Sequence, residues 1–79
     1  MDAVDATHAN LAARIRATAE ARGLPLSHVA DRAGVGRAHL YGVLAGRSSP
    51  SLTWIVKIAE VLGVEPAELL TPIPPMPQK

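Results

Sequence analysis

Apolar residues recur along this chain at spacings of three and four, which is the period of a helix with one buried face. The alternation with a period of two that marks a strand does not occur. Glycine and proline interrupt the apolar pattern often enough to divide the chain into five helices. We predict these helices over residues 7–22, 26–33, 37–45, 52–62 and 66–70. The expected fold is an all-α, five-helix orthogonal bundle.

The two ends of the chain differ from this helical part. Residues 1–6 are expected to be a flexible N-terminus ahead of the first helix, for which Asp5 and Thr7 are both acceptable N-caps. Residues 71–79 contain four prolines, so this tail is expected to be extended or disordered. The domain itself is therefore predicted over residues 7–70.

The most informative stretch runs from Arg32 to Arg47. Gly34 and Gly46 are expected to adopt the left-handed conformation that ends a helix, and the apolar residues between them share one helical face. The opposite face carries small, basic and hydrogen-bonding residues, namely Arg37, Ala38, His39, Tyr41 and Gly42. Two short helices joined by a glycine turn, the second with a cationic face, are typical of a DNA-binding helix-turn-helix. The alternative is a solvated basic face without a ligand.

The distribution of charge supports DNA binding more than the total charge does. The 79 residues carry a net charge of only +1, but residues 14–57 contain seven basic and two acidic residues, a local charge of +5 around the central motif. There is no cysteine, which excludes a disulfide framework and thiol metal ligands. No apolar run reaches the ~18 residues of a membrane span, and the first residues are acidic, unlike a signal peptide. We expect a cytoplasmic protein.

The order of these features resembles the Cro/phage-repressor (xenobiotic-response-element) helix-turn-helix family over roughly residues 9–70. The motifs that carry the resemblance are Gly23-Leu24, Val29-Ala30, Gly34-Val35, Gly46-Arg47, Pro50-Ser51-Leu52, Leu62-Gly63-Val64 and Leu69-Leu70. The resemblance implies a lambda-repressor-like domain whose third helix lies in the major groove of DNA. It also implies a regulator, located on bacterial or phage DNA, that dimerises through the end of the domain formed by the last helices.

The chain departs from the family pattern at several positions. Leu26 stands where members often carry a Gln that touches a phosphate. Ala19 and Leu44 stand where members often pair an Arg with a Glu, and because both are apolar here, no buried charge is left unpaired. The third helix also lacks the outer face rich in Gln, Ser or Thr that is frequent in the family. The resemblance therefore does not predict the operator sequence.

Base contact is predicted for four residues of the third helix, Arg37, Ala38, Tyr41 and Gly42. Arg37 stands at its N-terminal end, where a guanidinium can donate two hydrogen bonds to guanine O6 and N7; a phosphate contact is the alternative. Ala38 suits a thymine methyl or simply permits close approach. Tyr41 can bond a phosphate or pack on a base edge. Gly42 costs ~1 kcal/mol relative to alanine in a helix, which indicates close backbone approach to DNA or to a neighbouring helix.

Phosphate contact is predicted for His39, Arg47, Ser48, Ser49, Ser51 and Thr53. The loop after the third helix supplies the arginine and two serines, which would set the register on DNA without reading sequence. The N-terminus of the fourth helix presents unpaired backbone N–H groups near Ser51 and Thr53. His39 can donate to a phosphate or a base, or it is an exposed side chain without a role. Weaker candidates for DNA contact are Arg14, Arg16 and Arg32.

A dimer interface is predicted from apolar residues outside the core, Trp54, Val61, Leu69 and Ile73. The prediction depends on the inward stripe of the fourth helix, which is expected to consist of Leu52, Ile55, Ile58 or Ala59, and Leu62. That stripe leaves the indole on a flanking face, where an apolar patch indicates an interface. The alternative for Trp54 is that it covers the small aliphatic core.

These observations predict a sequence-specific transcription regulator, expected to be a repressor, that binds a pseudo-palindromic operator in double-stranded DNA as a homodimer. The alternative is a protein-interaction module, an antitoxin or adaptor, in which Trp54 and the tail bind a protein partner. We expect no enzymatic activity, no cofactor and no membrane partner. The three histidines are not at metal-ligand spacings from each other, so no metal site is expected either.

Overall fold

Five helices form the fold in a computed structural model, which describes residues 2–72. They are α1 (Ala3–Ala21), α2 (Leu26–Ala33), α3 (Arg37–Leu44), α4 (Leu52–Leu62) and α5 (Pro66–Leu70). No strand occurs within residues 2–72, so the predicted all-α class is confirmed. The observed bounds of α2, α4 and α5 equal the predicted ones, and α3 ends one residue earlier than predicted. The predictions for Ile73 and for the rest of the tail lie outside the described residues.

The first helix begins earlier than the sequence indicated. Asp2 is its N-cap, and the Asp2 carboxylate accepts a hydrogen bond from the backbone N–H of Asp5 at 2.9 Å. The two predicted caps, Asp5 and Thr7, are therefore wrong, and residues 3–6 are helical. Several acidic and hydroxyl side chains compete for one cap position in this stretch. Capping at the earliest of them extends the helix by about one turn of backbone hydrogen bonds.

Short-range features start and end the other helices. Gly34 and Gly63 are the C-caps of α2 and α4, with φ of +71° and +72°, a conformation that residues with a Cβ rarely adopt. Ser51 is the N-cap of α4, and its hydroxyl accepts a hydrogen bond from the backbone N–H of Trp54 at 3.1 Å. Pro66 is the first residue of α5, where its missing N–H costs nothing.

A single apolar core receives side chains from all five helices. Its largest fully buried members are Leu11, Ile15, Val29, Leu40, Val43, Ile58, Leu62 and Leu69. α1 packs on α5 and α3, while α4 packs on α2 and α5. The pair α2–α3 is therefore held on a frame made by the other three helices.

The fourth helix is rotated about its axis relative to the prediction. Leu52, predicted to face the core, is 73% exposed, whereas Trp54 is only 5% exposed. Residues two apart point to nearly opposite sides of a helix, so burying Trp54 turns Leu52 toward solvent. Burial of the large indole removes more apolar surface from water than burial of the leucine would. The buried stripe of α4 is Trp54, Ile55, Ile58, Ala59 and Leu62.

Candidate nucleic-acid interface

Three residues, Gly34, Val35 and Gly36, make the turn between α2 and α3. The N–H of Gly34 donates to the carbonyl oxygen of Asp31 at 3.2 Å, and the N–H of Val35 donates to that of Ala30 at 3.0 Å. The side chain of Val35 packs against the core, and Gly36 is the N-cap of α3. These contacts fix the two helices relative to each other as a helix-turn-helix.

The third helix has one buried and one exposed face, as predicted with one exception. Its buried side chains are those of Leu40, Val43 and Leu44. Its exposed residues are Arg37, Ala38, His39 and Tyr41. The exposed face therefore carries a guanidinium, a methyl, an imidazole and a phenol, which are groups suited to contact base edges and phosphates.

Gly42 is the exception, because it is buried. A Cβ built at this position would lie 2.9 Å from the hydroxyl oxygen of Ser48. The carbonyl oxygen of Gly42 accepts hydrogen bonds from the N–H groups of Arg47 at 2.8 Å and Ser48 at 3.2 Å. The close approach that the sequence indicated is thus made by the following loop of the same chain. The placement of Gly42 on the exposed face was wrong, and so was its base contact.

Arg37, the first residue of α3, forms a two-point ion pair with Asp31 of α2. Its Nε donates to Oδ1 of Asp31 at 3.0 Å and its Nη2 donates to Oδ2 at 2.7 Å. This hydrogen bonding lowers the pKa of the Asp31 carboxyl below its ordinary value and raises the pKa of the Arg37 guanidinium. Sequence reasoning missed Asp31. The available signal was an acid near the end of α2, which a helix-turn-helix brings next to the start of α3.

The loop between α3 and α4 lies against the C-terminal half of α3. Arg47 and Ser49 are exposed and Ser48 is half-buried, so the predicted phosphate-contact residues of this loop are at least partly accessible. Ser51 and Thr53 at the start of α4 are also exposed, although the Ser51 hydroxyl accepts the hydrogen bond that caps α4. The loop and the start of α4 thus extend the surface that α3 begins.

Two of the residues predicted at a dimer interface are inside the fold. Trp54 packs in the core and makes an edge-to-face contact with His39, at 5.8 Å between ring centroids and 84° between ring planes. Leu69 is fully buried, and Val61 is half-buried against the core. The interface prediction is therefore wrong for Trp54 and Leu69, because both side chains belong to the buried core of the single chain. The large apolar side chains left exposed within residues 2–72 are Val4, Tyr41, Leu52 and Leu70.

The first helix makes polar contacts with α3 and with the residues that follow α5. Nε2 of His8 donates to the carbonyl oxygen of Val43 near the end of α3, at 2.8 Å. Nε and Nη2 of Arg14 donate to the carbonyl oxygens of Thr71 and Pro72, at 2.8 and 2.9 Å. Arg14, a weaker candidate for DNA contact, therefore binds the backbone that follows α5.

The described residues offer no sign of a metal centre. Nowhere between residues 2 and 72 do three or more His, Asp or Glu side chains converge in a way that could hold an ion. None of the helices in the same range combines the length and the apolar character needed to cross a bilayer.

The turn, the buried and exposed faces of α3 and the basic loop after it define the chain as a helix-turn-helix protein. Residues 10–71 match the model of a protein family described as "Helix-turn-helix domain". The chain belongs to this family. It is of the Cro/phage-repressor (xenobiotic-response-element) type, a class of DNA-binding transcription regulators.

Solved structures of bacterial proteins are similar to this chain over most of its length. The hypothetical transcription factor NHTF from Neisseria is 30% identical with a TM-score of 0.80, covering 84% of this chain and 76% of that one. The restriction-modification controller protein C.AhdI from Aeromonas hydrophila is 34% identical with a TM-score of 0.76, covering 81% and 97%. An HTH_3 family transcriptional regulator from Vibrio cholerae is 28% identical with a TM-score of 0.73, covering 80% and 35%. A comparison with curated proteins gives no match.

Proposed function

We propose that this chain is a cytoplasmic, sequence-specific transcription regulator that acts as a repressor by occupying a pseudo-palindromic operator as a homodimer. The recognition element is α3 in the major groove of double-stranded DNA. A bound dimer would place two copies of α3 one DNA turn apart, ~34 Å, on the same side of the duplex. The bacterial transcription regulators to which the chain is similar support a role on bacterial or phage DNA.

The observation that carries the proposal is the position of Arg37. It is the first residue of α3, it is 59% exposed, and the opposite face of the helix is anchored in the core. The N-terminal end of a recognition helix is the part that reaches base edges. A guanidinium there can make the bidentate contact to guanine that is the commonest specific contact in the major groove. Ala38 and Tyr41, exposed on the same helix, are proposed as further base contacts.

The surface next to α3 supplies the proposed phosphate contacts. Arg47 is the charged residue of the loop, and His39, Ser48, Ser49, Ser51 and Thr53 add polar groups. Backbone N–H groups at the start of α4 add donors that favour an anion. Such contacts would fix the register of α3 on the duplex without reading its sequence.

The test is selection of binding sites from a random-sequence DNA duplex library, followed by sequencing, for the wild type and Arg37→Ala. We expect the wild type to enrich an inverted repeat, and the variant to lose its guanine preference at one position of each half-site. Arg22→Ala is the matched control, because it removes the same charge from a side chain that lies beside Gly63 at the end of α4. This control is expected to enrich the wild-type sequence.

Other outcomes would contradict parts of the proposal. An enriched site without inverted symmetry, together with a monomeric mass at the binding concentration, would contradict binding as a homodimer. Weak, salt-sensitive binding to every sequence, without enrichment of any site, would contradict the proposal of a sequence-specific regulator. The fold would then serve a protein partner, as in an antitoxin or adaptor.

A further inference from the structure

The ion pair between Asp31 and Arg37 joins the two helices of the helix-turn-helix at its exposed surface. The residues are six apart in sequence, on opposite sides of the glycine turn. Both oxygens of the carboxylate are used, each by a different nitrogen of the guanidinium. Two parallel hydrogen bonds restrict the orientation of the guanidinium plane more than a single contact would.

We propose that Asp31 is a positioning residue for base recognition, which holds the side edge of the Arg37 guanidinium so that its outer end meets a guanine. The inference rests on the proposed function, because it concerns how the same recognition helix reads its operator. It assigns a specificity role to a residue of α2, the helix that precedes the recognition helix.

The donor inventory of arginine allows both contacts at once. A guanidinium has five N–H groups, and the fork to Asp31 uses the one on Nε and one of the two on Nη2. The second N–H of Nη2 and both on Nη1 remain. One from each of these nitrogens points outward in parallel, which is the geometry that meets O6 and N7 of guanine. Asp31 therefore leaves the base-reading end of Arg37 available.

The gain from this arrangement is preorganisation. A free arginine side chain loses rotamer freedom when it is fixed on a base, and this loss weakens binding. A side chain already oriented by a carboxylate has less freedom left to lose. Because Asp31 and Arg37 are exposed, at 50% and 59%, the pair adds little to folding stability, so its effect is expected in recognition.

The same carboxylate also carries a cost for DNA binding. A negative charge beside the recognition helix is repelled by phosphates of any sequence, so Asp31 lowers the affinity for all duplexes alike. The guanine preference is a ratio of affinities for two duplexes, so a repulsion that is equal for both duplexes does not change it. Asp31 is thus proposed to increase discrimination at the expense of overall affinity.

The experiment measures that ratio by competition between the selected duplex and one in which the guanine read by Arg37 is replaced by adenine. The proteins are the full chain as wild type, Asp31→Asn, Arg37→Ala and the double variant. We expect Asp31→Asn to reduce the guanine preference about two- to fivefold while its affinity for both duplexes rises or stays unchanged. In the Arg37→Ala background the same change is expected to leave the ratio unaltered. Glu20→Gln, which removes a carboxylate that makes no ion pair with Arg37, is the matched control and should keep the wild-type ratio.

A purely structural role of Asp31 would not give this pattern. Both duplexes compete for the same protein sample, so partial unfolding lowers both signals and leaves the ratio intact. An equal or higher guanine preference in Asp31→Asn would overturn the proposal, and a higher preference would show that the carboxylate holds Arg37 away from DNA. A loss of preference of the same size in the Arg37→Ala background would overturn it too.

The same experiments distinguish an incorrect role for Asp31 from an incorrect proposed function. If the wild type selects a site and Arg37→Ala loses the guanine preference, but Asp31→Asn keeps the wild-type ratio, only the role of Asp31 is overturned. If the wild type selects no site, the proposed function fails and the role of Asp31 fails with it.

Discussion

Nε2 of His8 lies 2.8 Å from the carbonyl oxygen of Val43, so the first helix is hydrogen-bonded to the last turn of α3. The four last carbonyl groups of a helix lack partners within that helix. The carbonyl oxygen of Val43, one of these groups, accepts hydrogen bonds from the backbone N–H of Gly46 at 3.1 Å and from the imidazole of His8. This contact ties the orientation of α3 to α1, the longest helix of the fold.

Replacing His8 by alanine is expected to lower the free energy of unfolding by about 1 kcal/mol, because a partly buried hydrogen bond is lost. Urea denaturation followed by circular dichroism measures the change. His28→Ala, at an exposed position of α2, is the matched control and should have little effect. A stability unchanged in His8→Ala would show that the contact does not stabilise the fold.

The contact between Gly42 and Ser48 predicts a non-additive pair of substitutions. Gly42→Ala places a methyl 2.9 Å from the Ser48 hydroxyl, which must rotate away, and this strain offsets the gain in helix propensity. In a Ser48→Ala background the obstructing oxygen is gone. There, Gly42→Ala is expected to raise the free energy of unfolding by about 1 kcal/mol. Thermal denaturation of the four proteins measures this, and additive effects would contradict the close contact.

Trp54 is expected to contribute strongly to the free energy of unfolding, because its side chain is buried in the core. Trp54→Ala should lower the free energy of unfolding by about 3–5 kcal/mol, as for other large core residues. Trp54→Phe should cost less, because it keeps an aromatic ring and removes an indole N–H that has no hydrogen-bond partner among the described residues. Leu52→Ala, on the exposed side of the same helix, is the control and should be close to neutral. Full stability of Trp54→Ala with loss of a dimer would support the interface role instead.

Arg47→Ala is expected to weaken binding to specific and random duplexes by the same factor. If Arg47 neutralises one phosphate, its removal lowers the slope of log K against log salt concentration by about 1. Fluorescence anisotropy at several salt concentrations gives this slope. Arg22→Ala is the control, because the Arg22 guanidinium lies beside Gly63 at the end of α4, and it is expected to keep the wild-type slope. A changed sequence preference in Arg47→Ala would place this side chain on a base.

The exposed pair of Asp31 and Arg37 predicts a small contribution to stability that depends on pH. The hydrogen bonds from Arg37 lower the pKa of Asp31 in the folded protein, so the folded state favours the ionised carboxylate. The contribution is therefore fully present above the ordinary carboxyl pKa of about 4 and is lost as the pH falls through the lower folded value. The difference in unfolding free energy between wild type and Asp31→Asn should be constant near neutral pH and should vanish in acid. Urea titrations across this range measure it, and a difference that persists in acid would mean that charge is not its source.

Much of the helical pattern could be predicted because its determinants are local. The glycines after α2 and α4, the serine before α4 and the proline that opens α5 act on their immediate neighbours, so the bounds of these helices matched. The exposed residues of α3 followed in the same way from the helical period. The start of α1 could not be predicted in this way. Asp2, Asp5 and Thr7 are all acceptable N-caps, and their residue types do not distinguish which of them begins the helix.

Contacts between elements could not be read from the order of residues. Whether Leu52 or Trp54 faces inward depends on how α4 turns against α2 and α5, and the burial of Gly42 depends on where the loop folds back. The approach of Asp31 to Arg37 depends on the angle at the glycine turn. The helix ends after α2 and α4 and the exposed basic face of α3 were predictable, because caps and periodicity act within a few residues. The pairs of side chains that meet across helices were not, because those pairings depend on how the whole core packs.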